Sequence, residues 1–144
     1  MPGIKSVNHV GIRIRDKSTS VNFYKVLGFE LTADAGFEEG HPLIMKHPSG
    51  VVLNLLGPAN VDENSNILMD VDAKYTGITH VALTVESLDD ARAFMSEHDI
   101  KITGSFSFGN MSAIFIRDPD RNVIELDAYG SGDSDHVGDY ADHP

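Results

Sequence analysis

One numerical regularity constrains this chain more than any other. His9 and His80 stand 71 positions apart, and the same offset joins Val10 to Val81, Phe23 to Phe94, Phe37 to Phe108 and Pro48 to Pro119. The run Val51-Val52-Leu53-Asn54-Leu55 follows the turn His47-Pro48-Ser49-Gly50. Its echo, Asn122-Val123-Ile124-Glu125-Leu126, follows Asp118-Pro119-Asp120-Arg121. A unit of about 70 residues has been used twice. Two copies of a unit bury equivalent positions, so places where the copies disagree mark where they do different work. Asn54 against Glu125 is such a place.

Within each copy, hydrophobic periodicity gives the elements. From Ile4 to Ile14, Val10, Ile12 and Ile14 point one way and His9, Gly11 and Arg13 the other, which predicts a strand with one buried face. Asp16 is a helix N-cap; Val21, Phe23, Tyr24 and Leu27 recur at helical spacing, and Gly28 stops the helix. Strands follow over Phe29 to Phe37, Leu43 to Lys46 and Val51 to Leu56. The pattern restarts at Ile78 to Val85. Ser87 then caps a helix with Leu88, Ala91, Phe94 and Met95 on its buried stripe. Lys101 to Gly104, Ala113 to Arg117 and Val123 to Ala128 complete the second copy. The predicted class is α+β, two tandem β-α-β-β-β modules over residues 1–57 and 77–129. A polar linker, 58–76, carries one short strand near Ile67 to Val71 and crosses the molecule or joins a partner. An acidic mobile tail occupies 130–144.

Strand parity places the polar residues. If the branched apolar side chains face the helices, His9 and His80 face away from them. Leu53, Leu55, Ile124 and Leu126 take the core side of the last strands, so Asn54 and Glu125 share the histidines' face. Both pairs are 45 positions apart, and symmetric modules would bring all four side chains to a common point.

Composition narrows the function classes. With 11 basic and 22 acidic residues the chain carries a net charge of −11, a field that repels nucleic acid backbones. Part of the excess, Asp133, Asp135, Asp139 and Asp142, lies in the tail. There is no cysteine, hence no disulfide, thiolate ligand or thiol nucleophile. No apolar run reaches the ~20 residues of a membrane span, and the N-terminus lacks a signal-peptide pattern. A cytoplasmic location is expected.

The stretches Asn8-His9-Val10-Gly11-Ile12, Ser20 to Gly28, Thr79-His80-Val81-Ala82-Leu83 and Arg117 to Leu126 resemble the vicinal oxygen chelate superfamily. That group holds glyoxalase I, extradiol dioxygenases, methylmalonyl-CoA epimerase, fosfomycin-resistance enzymes and bleomycin-binding proteins. The resemblance covers nearly the whole chain apart from linker and tail. It implies a cupped mixed sheet around a divalent metal, with His9, His80 and Glu125 as ligands. Asn54 departs from the carboxylate of the glyoxalase I pattern; it is expected as a weak fourth ligand or a hydrogen-bonding neighbour of the metal site. Two imidazoles and one carboxylate resemble the dioxygenase and fosfomycin branches and leave coordination positions open for two neighbouring substrate oxygens. Fe2+ or Mn2+ is favoured, with Ni2+, Co2+ and Zn2+ also compatible. The family also implies a homodimer, in which the site lies within one chain or is shared between two.

Other residues fill supporting roles in this reading. Glu125 also counts as a catalytic group, and Arg13, two residues past His9, would hold an anionic substrate group. Met45, Leu56 and Phe108 are candidate pocket walls, with core packing as the competing reading. His47 matches Asp118 in the turn, which favours turn chemistry, and His41 lies before the third strand. His136 and His143 belong to a solvated tail, and Tyr129 stands at the cup's rim. The expected function is a metal-dependent enzyme that chelates vicinal oxygens of a small substrate, ring-cleaving-dioxygenase-like in its His/His/Glu set. Three alternatives remain open: a glyoxalase-like lyase or isomerase, a metal-free binder of the bleomycin-resistance type, and a subunit that binds a partner through its acidic tail. The stretch Gly104 to Ser112 does not resemble the fosfomycin branch's substrate loop.

Overall fold

The computed structural model describes residues 1–130. The acidic-tail aspartates, His136 and His143 lie outside them. The chain divides into two compact units, Met1–Glu63 and Asn64–Pro144. Each contains one four-stranded mixed sheet and one helix, in the order β-α-β-β-β.

In the first unit, β1 (Val10–Arg13) leads to α1 (Lys17–Val26), then β2 (Glu30–Asp34), a 3-10 turn (Phe37–Glu39), β3 (Leu43–Lys46) and β4 (Val52–Leu56). The sheet order is β1-β4-β3-β2, with β1 and β4 parallel and the other pairs antiparallel. The Asp16 carboxylate accepts from the Thr19 amide at 2.9 Å and fixes the start of α1. Ser20, Val21 and Tyr24 are its buried residues. The Tyr24 ring meets Phe23 and Phe29 edge-on at 5.1 and 6.0 Å, geometries that aromatic quadrupoles favour. Ile12, Ile14, Leu53 and Leu55 are buried as parity requires.

In this unit the first two strands fall well short of the sequence pattern. The first begins at Val10 rather than Ile4, because its partner among the described residues, β4, supplies register from Leu53 to Leu56 and nothing earlier. The second stops at Asp34, whose carboxylate accepts from the amides of Gly36 and Phe37 at 2.9 and 3.0 Å and turns the chain. Phe37 thereby drops into the core at 3% exposure. Gly57 is required beneath it, since a Cβ there would lie 2.2 Å from Phe37 Cε1.

The second unit holds β5 (His80–Thr84), α2 (Leu88–Glu97), β6 (Ile102–Phe108), β7 (Met111–Arg117) and β8 (Val123–Tyr129). Its sheet order, β5-β8-β7-β6, repeats that of the first. The Ser87 hydroxyl accepts from the Asp90 amide at 3.1 Å and caps α2. The helix buries Met95 against the sheet face carrying Ile114, Ile116, Ile124 and Leu126. β6 runs four residues further than predicted and β7 starts two earlier, joined by the two-residue turn Gly109-Asn110. Alternation through Ser105-Phe106-Ser107-Phe108 was the available signal.

The strand expected near Ile67 to Val71 is absent: residues 67–73 form turns and bends. Asn66 Oδ1 accepts from the amides of Leu68 and Met69, and Asp70 Oδ2 accepts from the Asn66 amide at 2.9 Å. With Asn66 bonding its own neighbours, the backbone has a local alternative to a ladder. Asp70 is then clamped by Arg121 Nε at 2.7 Å and by Arg117 Nη2 at 2.9 Å.

Candidate functional site

Side chains that alternate along a strand sort by face. In the second unit, one face of β8 gives Ile124, Leu126 and Ala128 to the α2 side. The other carries Val123, Glu125, Asp127 and Tyr129. The parallel register Ala82↔Glu125 sets His80 and Thr84 diagonally beside Glu125 on that same face. His80 Nε2 lies 3.3 Å from Glu125 Oε1. The ring's other nitrogen, Nδ1, is 2.8 Å from Thr79 Oγ1, which orients the imidazole. Phe115, partner of Glu125 on β7, meets the imidazole edge-on at 6.1 Å and is fully buried.

Glu125 is only 9% exposed. Burial pushes its carboxyl above the usual carboxylate range; His80 opposes this, while Asp127 adds to it through its charge and a hydrogen bond. Asp127 is itself 7% exposed and accepts from Thr84 Oγ1 at 2.7 Å. Two buried carboxylates beside one imidazole are costly to ionise together, in keeping with the raised Glu125 carboxyl. An imidazole nitrogen beside a carboxylate oxygen, with the ring held from behind, is a donor set that a divalent cation accepts. The pair supplies two donors, and a third would have to come from beyond it.

In the first unit the equivalent face is built differently. His9 is exposed, with Nδ1 2.7 Å from Asn8 Oδ1. Arg13 is exposed at the end of β1. Asn54 is half-buried in mid-β4, between Gly11 and Ile44 in register. Leu56 covers Gly11, its Cδ1 3.5 Å from where a Cβ would stand.

Of the predicted site residues, His80 and Glu125 are thus brought together. Among the described residues no group of three His, Cys, Asp or Glu side chains is gathered as a metal would need. Met45 is corrected: it is 0% exposed and pairs with Leu53 on the core side, because β3 parity sends Leu43 and Met45 toward the apolar interior. Phe108 is 67% exposed and shares the Glu125 face of the second sheet, at its far end. His47 is a turn residue, accepting from the Ser49 amide at 3.0 Å. Asp127 and Thr84 went unrecognised in the sequence. The signal for Asp127 was present, since acids two residues apart on a buried strand share a face.

No helix among the described residues is long and apolar enough to cross a membrane. Solved structures share the fold. A glyoxalase family protein from Enterococcus faecalis is 23% identical, with 85% of this chain and 97% of that one covered and a TM-score of 0.68. A glyoxalase/dioxygenase from Nostoc punctiforme is 21% identical, with 91% and 96% covered and a TM-score of 0.70. A glyoxylase/bleomycin resistance protein/dioxygenase domain from Frankia sp. EAN1pec is 18% identical, with the same coverages and a TM-score of 0.71. The family model for the Glyoxalase/Bleomycin resistance protein/Dioxygenase superfamily matches residues 6–126, and with two β-α-β-β-β units built around the same repeat, this chain belongs to that superfamily.

Proposed function

We propose that this protein is a divalent-metal-dependent enzyme that chelates two neighbouring oxygens of a small substrate, dioxygenase-like in its ligand set. The observation that carries the reading is the His80–Glu125 pair at 3.3 Å on the helix-free face of β5 and β8. His80 and Glu125 would hold the cation from the second unit, and His9 is the proposed ligand from the first. Asn54 is the proposed weak fourth donor or hydrogen-bonding neighbour. Fe2+ or Mn2+ is the favoured ion, with Ni2+, Co2+ or Zn2+ as substitutes. The ion would supply Lewis acidity and a template for vicinal oxygens. Thr79 keeps the His80 ring oriented, Thr84 keeps Asp127 turned to β5, and Arg13 would receive an anionic group of the substrate through its fork of donors. A homodimer in the cytoplasm is part of the proposal.

The test is metal analysis of untagged protein, then anaerobic reconstitution and oxygen uptake with catechols. Near-stoichiometric metal that falls below about a tenth of an equivalent in His80→Ala is expected, as removing a ligand outweighs the 10–100-fold loss typical of an outer-shell partner. Metal-free protein that binds none on titration would overturn the reading. Isomerisation of 2-oxoaldehyde hemithioacetals without oxygen uptake would move it to the lyase branch. A second reading, metal-free binding of a small molecule, is favoured by the absence of a three-donor group among the described residues.

A further inference from the structure

The connection from β4 to β5, residues 57–79, has the polar composition of a loose tether. Its two halves are nevertheless stitched down. In the first half the Ala59 amide donates to Ile14 O at 2.8 Å. Arg15 Nη1 donates to Val61 O, and Arg15 Nη2 donates to Glu63 O at 2.8 Å. In the second half Asn64 Nδ2 donates to Pro119 O at 3.4 Å and Asn66 Nδ2 to Arg121 O at 3.1 Å. Asp70 is held by Arg117 and Arg121. Leu68 folds back over Gly77, where a Cβ would lie 3.1 Å from Leu68 Cδ1. These bonds tie the first half to the first unit and the second half to the second. The changeover falls between Glu63 and Asn64, where the units themselves divide.

The arginines that make these bonds stand where the repeat disagrees with itself. At the 71-residue offset Arg15 matches Glu86, Arg117 matches Lys46 and Arg121 matches Gly50. An ionised glutamate has no proton to donate to a carbonyl, glycine has no side chain, and lysine lacks the planar fork. The module folds in both copies, so its own packing does not require these arginines. Each stands only in the copy whose half of the connector it holds. We infer that residues 57–77 are a joint rather than a tether: two separately latched straps, closed by Arg15 and by the Arg117–Asp70–Arg121 cluster, that meet at a pivot between Glu63 and Asn64. Backbone freedom at the changeover is then confined to the torsions of those two residues. The latches are unequal. The Arg117 and Asp70 side chains are 6% and 9% exposed, whereas Arg15 is half-buried and its acceptors Val61 and Glu63 are exposed. Water competes for the first latch more than for the second, so the first strap is the one that opens.

The experiment is amide-resolved hydrogen exchange on the full-length protein, in wild type, R15M and R121G. The reporters are the Ala59 amide, which donates to Ile14 O, and the Asp70 amide, which donates to Asn66 O at 2.7 Å. In wild type both should exchange at least about tenfold more slowly than an unstructured chain, as amides in a closed local unit do. R15M should speed Ala59 at least about fivefold and leave Asp70 within about twofold, since hydrogen bonds from a charged group are the larger ones and only the first latch is cut. R121G places the first copy's own residue at that turn and should do the reverse. Amides of β4 and β8 are the control for an intact fold. Should R15M lose it, R15K, which keeps the charge without the fork, takes its place with the same expectation. A protease that cuts after glutamate gives a second reading: cleavage after Glu63 should be at least about tenfold faster in R15M than in wild type, because the site must open locally to be cut. Exchange at the unstructured rate in wild type overturns the inference. So does a variant in which both reporters speed together, since the connector is then one continuous strap, or a pair of variants in which neither reporter moves.

Discussion

The two units share a plan down to small details. Both sheets shift register at the same repeat position, between Leu31 and Ala33 and between Ile102 and Gly104. At each shift a threonine hydroxyl donates to the neighbouring strand, Thr32 to Ile44 O at 3.3 Å and Thr103 to Phe115 O at 3.2 Å. Yet their helix-free faces differ. Where the first unit has Asn54 and Leu56, the second has Glu125 and Asp127. Where the first has Ile44, the second has Phe115. On the matching strands, Asn54 and Leu56 of β4 are half-buried, whereas Glu125 and Asp127 of β8 are buried. The core side of a duplicated sheet is held by packing against its helix. The other side is released from that demand and can diverge between the copies.

The largest expected effect tests that asymmetry. Glu125→Ala should weaken metal binding at least about hundredfold, while Asn54→Ala should change it less than about tenfold, by the difference between a ligand and its neighbour. Titration with Fe2+ or Mn2+ under anaerobic conditions measures both. Equal losses would make the halves equivalent after all. Asn54→Glu restores the repeat's symmetry and should tighten binding.

Next in size is the clamp on Asp70, which the first unit lacks. The equivalent turn position is Gly50, at φ 100°, whereas the second unit has Arg121 at φ 67°. A left-handed non-glycine residue costs about 1 kcal/mol, and the hydrogen bonds from Arg121 to Asp70 offset it. Asp70→Asn should destabilise the protein by about 3 kcal/mol at pH 7, since it leaves two mostly buried guanidiniums without their counter-charge. Burial opposes ionisation of Asp70, but hydrogen bonds from Arg121, the Asn66 amide and Arg117 outweigh it and hold its carboxyl well below the usual range. A depressed carboxylate contributes stability above its unfolded pKa of about 3.8 and loses it as pH falls through the lower folded value. The deficit of Asp70→Asn should therefore shrink as pH drops below that point, read by denaturant melts. Asp34, held down to about 2 by Lys17 and the amides of Gly36 and Phe37, shares the sign of this dependence.

Gly57→Ala comes third. The repeat places Ala128 at the equivalent position, where it is accepted at 5% exposure. In the first unit Phe37 occupies the space, so the added methyl should cost about 2 kcal/mol as an overpacking defect. Phe37→Leu in the same chain should recover part of it. The smallest effect separates the two threonines. Thr103→Ala, at a buried site, should cost about 1 kcal/mol, and Thr32→Ala, more exposed, close to none. Equal costs would mean that burial does not distinguish the bulges.

Much of the fold was legible in the chain because its signals are local. Asp16 and Ser87 announce helix starts through their own side chains, and β3 was read with its observed limits because a proline and a turn bound it. Phe37 and Phe108 show where this fails. They match across the repeat, yet one is a core residue after a turn made by Asp34 and the other an exposed strand residue beside a hairpin turn. The repeat predicted identical fates, and neighbours decided otherwise. The same limit hid the Asp70 clamp, whose partners lie 47 and 51 positions away.

What the sequence determined alone was the duplicated β-α-β-β-β order, the helix caps and the face on which His80 and Glu125 stand, because each follows from residues a few positions apart and from the strand period of two. Only the tertiary structure decided that Glu125 is buried beside Asp127, that Met45 belongs to the core, and that Phe108 and Tyr129 stand exposed at the far end of the second sheet. Those facts depend on strand register and on what covers each side chain, and both are fixed by partners distant in the chain.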